Sequence, residues 1–195
     1  PAQLYTLIIE ASNRNPAAPA ILAPGKKASS FELLVQHLFT VMRQVSRWGF
    51  TPSDRLALVL PNGPEAATAF LALSQVSTYA PLNPAYPYQD FHFSLQDLKV
   101  RAVITSFGEE HPAYQAARAL QIPVIQLIPD PLHAGLFSLS SDLRPRMDIT
   151  QPLLAELDDT ALVLHTSGTT SRPKIVPLSH RNLFHSTRNI IDTYQ

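Results

Sequence analysis

Five short apolar runs alternate with stretches of helical periodicity, and this alternation restricts the fold more than any other feature of the chain. The runs are Arg55–Leu60, Thr78–Leu82, Ala102–Thr105, Pro123–Ile128 and Ala161–His165. Each reads as a strand, and Arg55–Leu60 and Ala161–His165 as buried ones. Between them, Ser30–Trp48 places Phe31, Leu34, Val35, Leu38, Met42, Val45 and Trp48 at three- and four-residue steps, which builds one apolar helical face. Ser30 suits its N-cap and Gly49 its stop. Pro64 suits the first turn of a helix reaching about Gln75, and Phe91–Leu98 and His111–Leu120 also read as helices. Leu4–Asn13 is expected as a short helix that ends before Asn15-Pro16, and a further helix is expected from Ser179. Ala20–Leu22, Gly135–Leu139 and Ile175–Leu178 are weaker strand candidates. Strand–helix alternation predicts an α/β fold with a largely parallel sheet and helices on both faces. Ligands of such sheets bind in loops beyond the C-terminal ends of the strands.

Composition removes several functions. Lysine plus arginine equals aspartate plus glutamate, at 15 each, so the basic excess of a dedicated nucleic-acid module is missing. There is no cysteine, hence no disulfide, thiolate nucleophile or cysteine-based zinc site. No apolar run reaches the roughly 20 residues of a membrane span. Hydrophobic residues make up 45% of the chain, enough for a packed core.

The segment that carries chemistry is Leu162-Val163-Leu164-His165-Thr166-Ser167-Gly168-Thr169-Thr170-Ser171-Arg172-Pro173-Lys174. An apolar strand runs into clustered hydroxyl residues around one glycine, followed by a lysine. Hydroxyls and backbone N–H groups donate to phosphate oxygens, Gly168 allows close approach, and Lys174 supplies positive charge. A Walker loop is excluded. Counting from Gly168, Pro173 stands where that loop needs glycine, and Ile175 where it needs a magnesium-binding hydroxyl. A hydrolase role for Ser167 lacks the Gly-x-Ser-x-Gly elbow.

Thr166–Lys174 resembles the signature loop of the adenylate-forming (AMP-binding) superfamily, which reads Thr-Ser-Gly-Thr-Thr-Gly-x-Pro-Lys-Gly-Val. Seven fixed positions match, and Val176 matches as well. Leu58-Val59-Leu60-Pro61-Asn62-Gly63-Pro64-Glu65, Ala80-Pro81-Leu82-Asn83-Pro84, Ser30-Phe31-Glu32-Leu33... as far as Leu34, and Pro177–Leu183 resemble further family segments. The resemblance runs from about Leu4 to Tyr194. His165 and the Thr170–Lys174 stretch are most similar to oxalate–CoA ligases and related peroxisomal acyl-CoA synthetases.

The resemblance implies the N-terminal portion of a layered, largely parallel-sheet adenylation domain, with residues 1–195 an incomplete part of it. It implies two half-reactions in the complete enzyme: ATP, with Mg2+, and a carboxylic acid give an acyl-adenylate, and coenzyme A takes the acyl group. The ATP-phosphate ligands it implies are Thr166, Ser167, Gly168, Thr169, Thr170, Ser171 and Lys174. The family's adenine, ribose and C-terminal lysine motifs have no counterpart here, so no residue is assigned a catalytic role and none is assigned to metal. It implies an intracellular setting, cytoplasmic or peroxisomal. The other reading is a truncated, inactive homolog that at most binds nucleotide or a protein partner.

Three family glycines are replaced: by Ser171, by Ile175 and, at a helix end, by Val76. A β-branched residue forced to positive φ costs roughly 1–2 kcal/mol, so strain and relaxed selection are expected there unless the local backbone differs. Of the remaining polar groups, Asp158-Asp159, Arg144 and Arg146 are expected to be solvated, and Glu109-Glu110 to precede a helix start, where negative charge suits the dipole. His180 and His185, five apart, are poorly spaced for a shared metal. Tyr79, Tyr86 and Tyr88 are expected to be half-buried packing residues.

Overall fold

A computed structural model describes residues 4–166 and 174–193. The chain opens with α1 (Leu4–Arg14) and a two-stranded ribbon, β1 (Pro19–Ile21) against β2 (Ser29–Ser30). It continues through α2 (Phe31–Arg47), β3 (Arg55–Val59), α3 (Pro64–Leu73), β4 (Thr78–Pro81), α4 (Tyr88–Asp97), β5 (Ala102–Thr105) and α5 (Pro112–Ala119). Then follow β6 (Val124–Pro129), β7 (Phe137–Ser140), β8 (Thr160–Thr166), β9 (Lys174–Ser179) and α6 (His180–Thr193). The main sheet has the order β7-β6-β5-β3-β4-β8-β9. Its five inner strands are parallel, and the two edge strands, β7 and β9, are antiparallel to their neighbours.

The expected helix boundaries hold where a cap fixes them. Ser30 Oγ accepts the Leu33 N–H at 3.2 Å, and Gly49 takes φ +87° just past α2. The fourth helix starts earlier than its apolar pattern suggests, at Tyr88, because Pro87 supplies an extended N-cap for which the tyrosine-rich loop had no apolar signal. The second strand, Ser29–Ser30, carries no apolar pattern and was not anticipated.

Strand alternation divides the core. Leu56 and Leu58 of β3, Ile104 of β5, and Ile125 and Leu127 of β6 pack under α2 and α3. Ala57 and Val59, Val103 of β5 and Val163 of β8 pack under α4 and α5. The chain moves from β3 to β4 on one side and from β4 back to β5 on the other. Right-handed crossovers in opposite directions put α3 and α4 on opposite faces, which leaves a crevice at the C-terminal ends of the central strands.

Candidate phosphate-binding hairpin

β8 lies beside β4 in parallel, with Tyr79 opposite Leu162, so its C-terminal end reaches the sheet edge where ligands bind. β9 returns antiparallel, in register from Leu162↔Leu178 to Thr166↔Lys174. That last pair closes the base of the loop: Thr166 is the final residue of β8 and Lys174, its side chain exposed, the first of β9. Of the residues expected to bind phosphate, the structure thus brings Thr166 and Lys174 to facing positions. Ser167, Gly168, Thr169, Thr170 and Ser171 lie outside the described residues.

One residue before the loop, His165 falls on the same side of the strand as Val163, as a two-residue period requires. Its side chain is 4% exposed, and Nε2 stands 3.3 Å from Oδ2 of Asp97, the last residue of α4. The angle of that approach falls outside hydrogen-bond geometry, and Nδ1 has no hydrogen-bond partner among the described residues. Sequence alone singled out His165 as a subfamily mark but gave no partner. Its alternation with Val163 was the available signal that it faces α4 rather than solvent.

The strain expected at Ile175 and Val76 does not arise; Ser171 lies outside the described residues. Among the described residues, only Lys99 and Gln121 combine a side chain with positive φ. Ile175 sits in β9 directly across from His165, in a strand conformation that favours β-branching. Val76 is fully buried in the core under α2 and α3. The backbone differs from what glycine at these positions would suggest, which removes strain as a reason to infer relaxed selection.

The hairpin is fastened at its far end. Thr78 Oγ1 donates to the Thr160 carbonyl at 2.9 Å, joining β4 to the start of β8. Arg181 binds Asp158 through two bonds, Nε to Oδ1 at 2.8 Å and Nη2 to Oδ2 at 3.0 Å. Its guanidinium holds the Asp158 carboxyl below the usual carboxylate range. Asp159 Oδ2 accepts the Glu156 N–H at 2.7 Å. The Asp158 side chain remains 77% exposed, so the expected solvated strand entry holds while these surface bonds tie it to α6. Ser179 and Asn182 form a reciprocal capping box, with Asn182 Oδ1 accepting the Ser179 N–H at 3.0 Å and Ser179 Oγ accepting the Asn182 N–H at 3.2 Å. His180, beside them, is 1% exposed, and burial lowers its pKa against the opposing influence of the Ser74 backbone and Asp159.

The neighbouring strand ends frame a cavity of about 380 Å3 lined by Leu60, Asn62, Tyr79, Pro81 and Asn83 among others. Tyr79 is 7% exposed, sits edge-on to Phe70, and has its hydroxyl pKa pushed up to about 12 by burial. Tyr86 packs edge-on against Phe91. Arg146 is exposed, but its aliphatic stem lies where a side chain on Gly49 would point. Among the described residues, no group of three or more His, Asp or Glu side chains converges as a metal site. No described helix is long and apolar enough to cross a membrane.

These features match known proteins over the whole described chain. The AMP-binding enzyme family matches residues 9–195, and the chain belongs to that family. It is 40% identical over 154 residues to an oxalate–CoA ligase of Arabidopsis thaliana, covering 78% of this chain and 30% of that protein. It is 30% identical to the acyl-CoA synthetase ALT10 of Alternaria alternata, covering 100% of this chain and 40% of that protein. Its fold superposes on ATP-bound MatB from Rhodopseudomonas palustris with a TM-score of 0.78 at 26% identity, covering 98% of this chain and 37% of that one. The chain therefore spans about a third of the length of these relatives.

Proposed function

We propose that residues 1–195 form the N-terminal part of an adenylation domain, and that the Thr166–Lys174 loop holds ATP's β- and γ-phosphates while a carboxylic acid is activated. In the first step a carboxylate oxygen attacks the α-phosphorus, the bond to the β-phosphate oxygen breaks, and pyrophosphate leaves. In the second, the coenzyme A thiol attacks the acyl carbon and AMP leaves. Negative charge grows on the departing pyrophosphate, so donors already in place stabilise the transition state more than the ground state.

The observation that carries this reading is the register of the hairpin. Thr166 and Lys174 face each other at the C-terminal end of β8, which delivers a hydroxyl-rich loop and an ammonium group to one end of the sheet. Thr166–Thr170 and Ser171 would supply O–H and N–H donors, and Lys174 the charge. These neutral oxygens and one cation suit phosphate better than they suit a bare divalent ion. Mg2+ is therefore assigned to the MgATP substrate, where it offsets the phosphates' charge. An enzyme that consumes ATP and coenzyme A works where both are kept, which accords with the cytoplasm or peroxisome. The reading of an inactive homolog loses the support that strain at Val76 and Ile175 would have given it.

The test is a chimera in which this chain replaces the matching part of the Arabidopsis oxalate–CoA ligase. ATP–pyrophosphate exchange is measured with a panel of carboxylic acids. Carboxylate-dependent exchange that disappears with Lys174→Ala is the expected result. A folded chimera whose exchange is indifferent to Lys174 would overturn the assignment.

A further inference from the structure

The end of the sheet opposite the hairpin carries a second cavity, of about 310 Å3, beside the N-terminal ends of β5 and β6. Arg101 stands just before β5, and Ile122 and Pro123 just before β6. Trp48 and Phe50, from the end of α2, line it as well, and so does Arg146 of the β7–β8 connection. The proposed function uses none of these residues. Trp48 and Phe50 are 7% and 4% exposed, so the wall they form is apolar and already packed.

Both arginines are held in place. Arg101 Nη1 donates to Asp54 Oδ1 at 3.0 Å, while Asp54 Oδ2 accepts from the Thr51 N–H at 2.9 Å and from its hydroxyl at 3.0 Å. One nitrogen of Arg101 is engaged, so other donors of its planar fork remain. The Arg146 N–H donates to the Arg47 carbonyl at 2.8 Å, and its aliphatic stem crosses Gly49, where an added Cβ would meet Cδ at 3.1 Å. The Arg146 guanidinium has no hydrogen bond or ion pair among the described residues.

Three helices, α2, α4 and α5, end around the cavity, and arginine can serve simply to offset the negative dipole of such ends. Arg55 does so, donating to the Leu98 carbonyl at 3.0 Å. Arg101 and Arg146 bond to no helix carbonyl among the described residues, which leaves their donors for a ligand. Two guanidinium groups beside an apolar wall suit a carboxylate or phosphate carried on an apolar body.

We propose that this cavity is a binding site for a small organic anion, with Arg101 and Arg146 taking its carboxylate or phosphate and Trp48, Phe50 and Ile122 its apolar body. The site lies at the other end of the parallel strands from Thr166–Lys174, so its occupancy does not depend on the hairpin.

Trp48 is the only tryptophan of the chain, so its fluorescence reports on the cavity directly. The experiment titrates the purified chain with phenyl phosphate, phenylbutyrate, the neutral phenylbutanol and inorganic phosphate. At least one aromatic anion should change the emission saturably, and the tighter of the two identifies the head group. The alcohol and inorganic phosphate should bind roughly tenfold more weakly or worse. Arg146→Ala and Arg101→Leu should each raise Kd roughly tenfold, the worth of one charge-assisted hydrogen bond. Arg146→Ala, at an exposed position, keeps the test open if the Arg101 variant does not fold after losing its Asp54 pair. The proposal is overturned by no saturable binding of either anion, by equal affinity for the alcohol, or by binding that the folded arginine variants leave unchanged.

Discussion

The Val76 N–H donates to the Leu73 carbonyl at 3.1 Å, and this bond turns the chain out of α3 without any need for positive φ. The Val76 side chain is then free to fill the core, where it is completely buried. Restoring the family's glycine here should destabilise the chain by about 2–3 kcal/mol, through lost burial and a freer unfolded chain. Ile175→Gly in the exposed edge strand should cost about 1 kcal/mol. Urea denaturation checks both, and a gain in stability from either variant would show that strain exists after all.

Lys99 and Gln121 are where positive φ does occur, at 51° and 55°. Each follows a helix whose end closes in a Schellman pattern: Val100 N–H to Leu95 O at 3.1 Å, and Ile122 N–H to Ala117 O at 2.9 Å. Glycine relieves the left-handed cost but loosens the unfolded chain, so Lys99→Gly should stabilise by a few tenths to about 1 kcal/mol. A loss of stability in that variant would mean that the lysine side chain contributes more than its backbone costs.

Gly135 is irreplaceable on two grounds. Its φ is +76°, and an added Cβ would meet Thr68 Oγ1 at 2.7 Å, Ile21 Cγ2 at 2.9 Å and the Pro64 carbonyl at 3.2 Å. Gly135→Ala should therefore cost about 2–4 kcal/mol, combining left-handed strain with overpacking where the β6–β7 turn meets α3 and β1. A melting temperature unchanged by the substitution would contradict this packing.

His37 makes stability depend on pH. Burial depresses its pKa to about 4 despite the opposing charge of Asp130, and its ring stands edge-on to Phe137 at 4.7 Å. Below an ordinary value of 6.5 the unfolded chain takes up a proton that the folded chain refuses. Stability is thus full above that pH and falls as the pH drops toward 4. Between pH 7.5 and 5 the loss from His37 should approach about 2 kcal/mol, at about 1.4 kcal/mol per pH unit. His180, also depressed by burial, acts in the same direction. Denaturation at both pH values should show a smaller loss in His37→Leu, and equal losses would exclude His37 as the source.

The sheet and its helices were legible because their signals are local. Ser30 and Gly49 bounded α2, Pro64 opened α3, and strand runs such as Ala102–Thr105 appear where their apolar residues stand. Register is a long-range property, and no local pattern announces that β7 and β9 reverse direction at the edges. The candidate loop was singled out by its chemistry and its likeness to a family, while the contacts of its buried neighbours were not foreseen. His165 meets Asp97 across 67 residues of intervening chain, a contact that only the folded arrangement of α4 and β8 creates. The glycine departures misled for a related reason: sequence shows which residue is replaced, but only the backbone shows whether positive φ was needed.

The most direct measurement of the central claim is calorimetric titration of MgATP onto this chain, beside the combined variant Thr169→Ala, Thr170→Ala, Lys174→Ala. If the loop cradles the phosphates, the unaltered chain binds MgATP and the variant, equally stable, does not. Equal binding by both proteins, or MgATP binding that inorganic tripolyphosphate cannot displace, would contradict it.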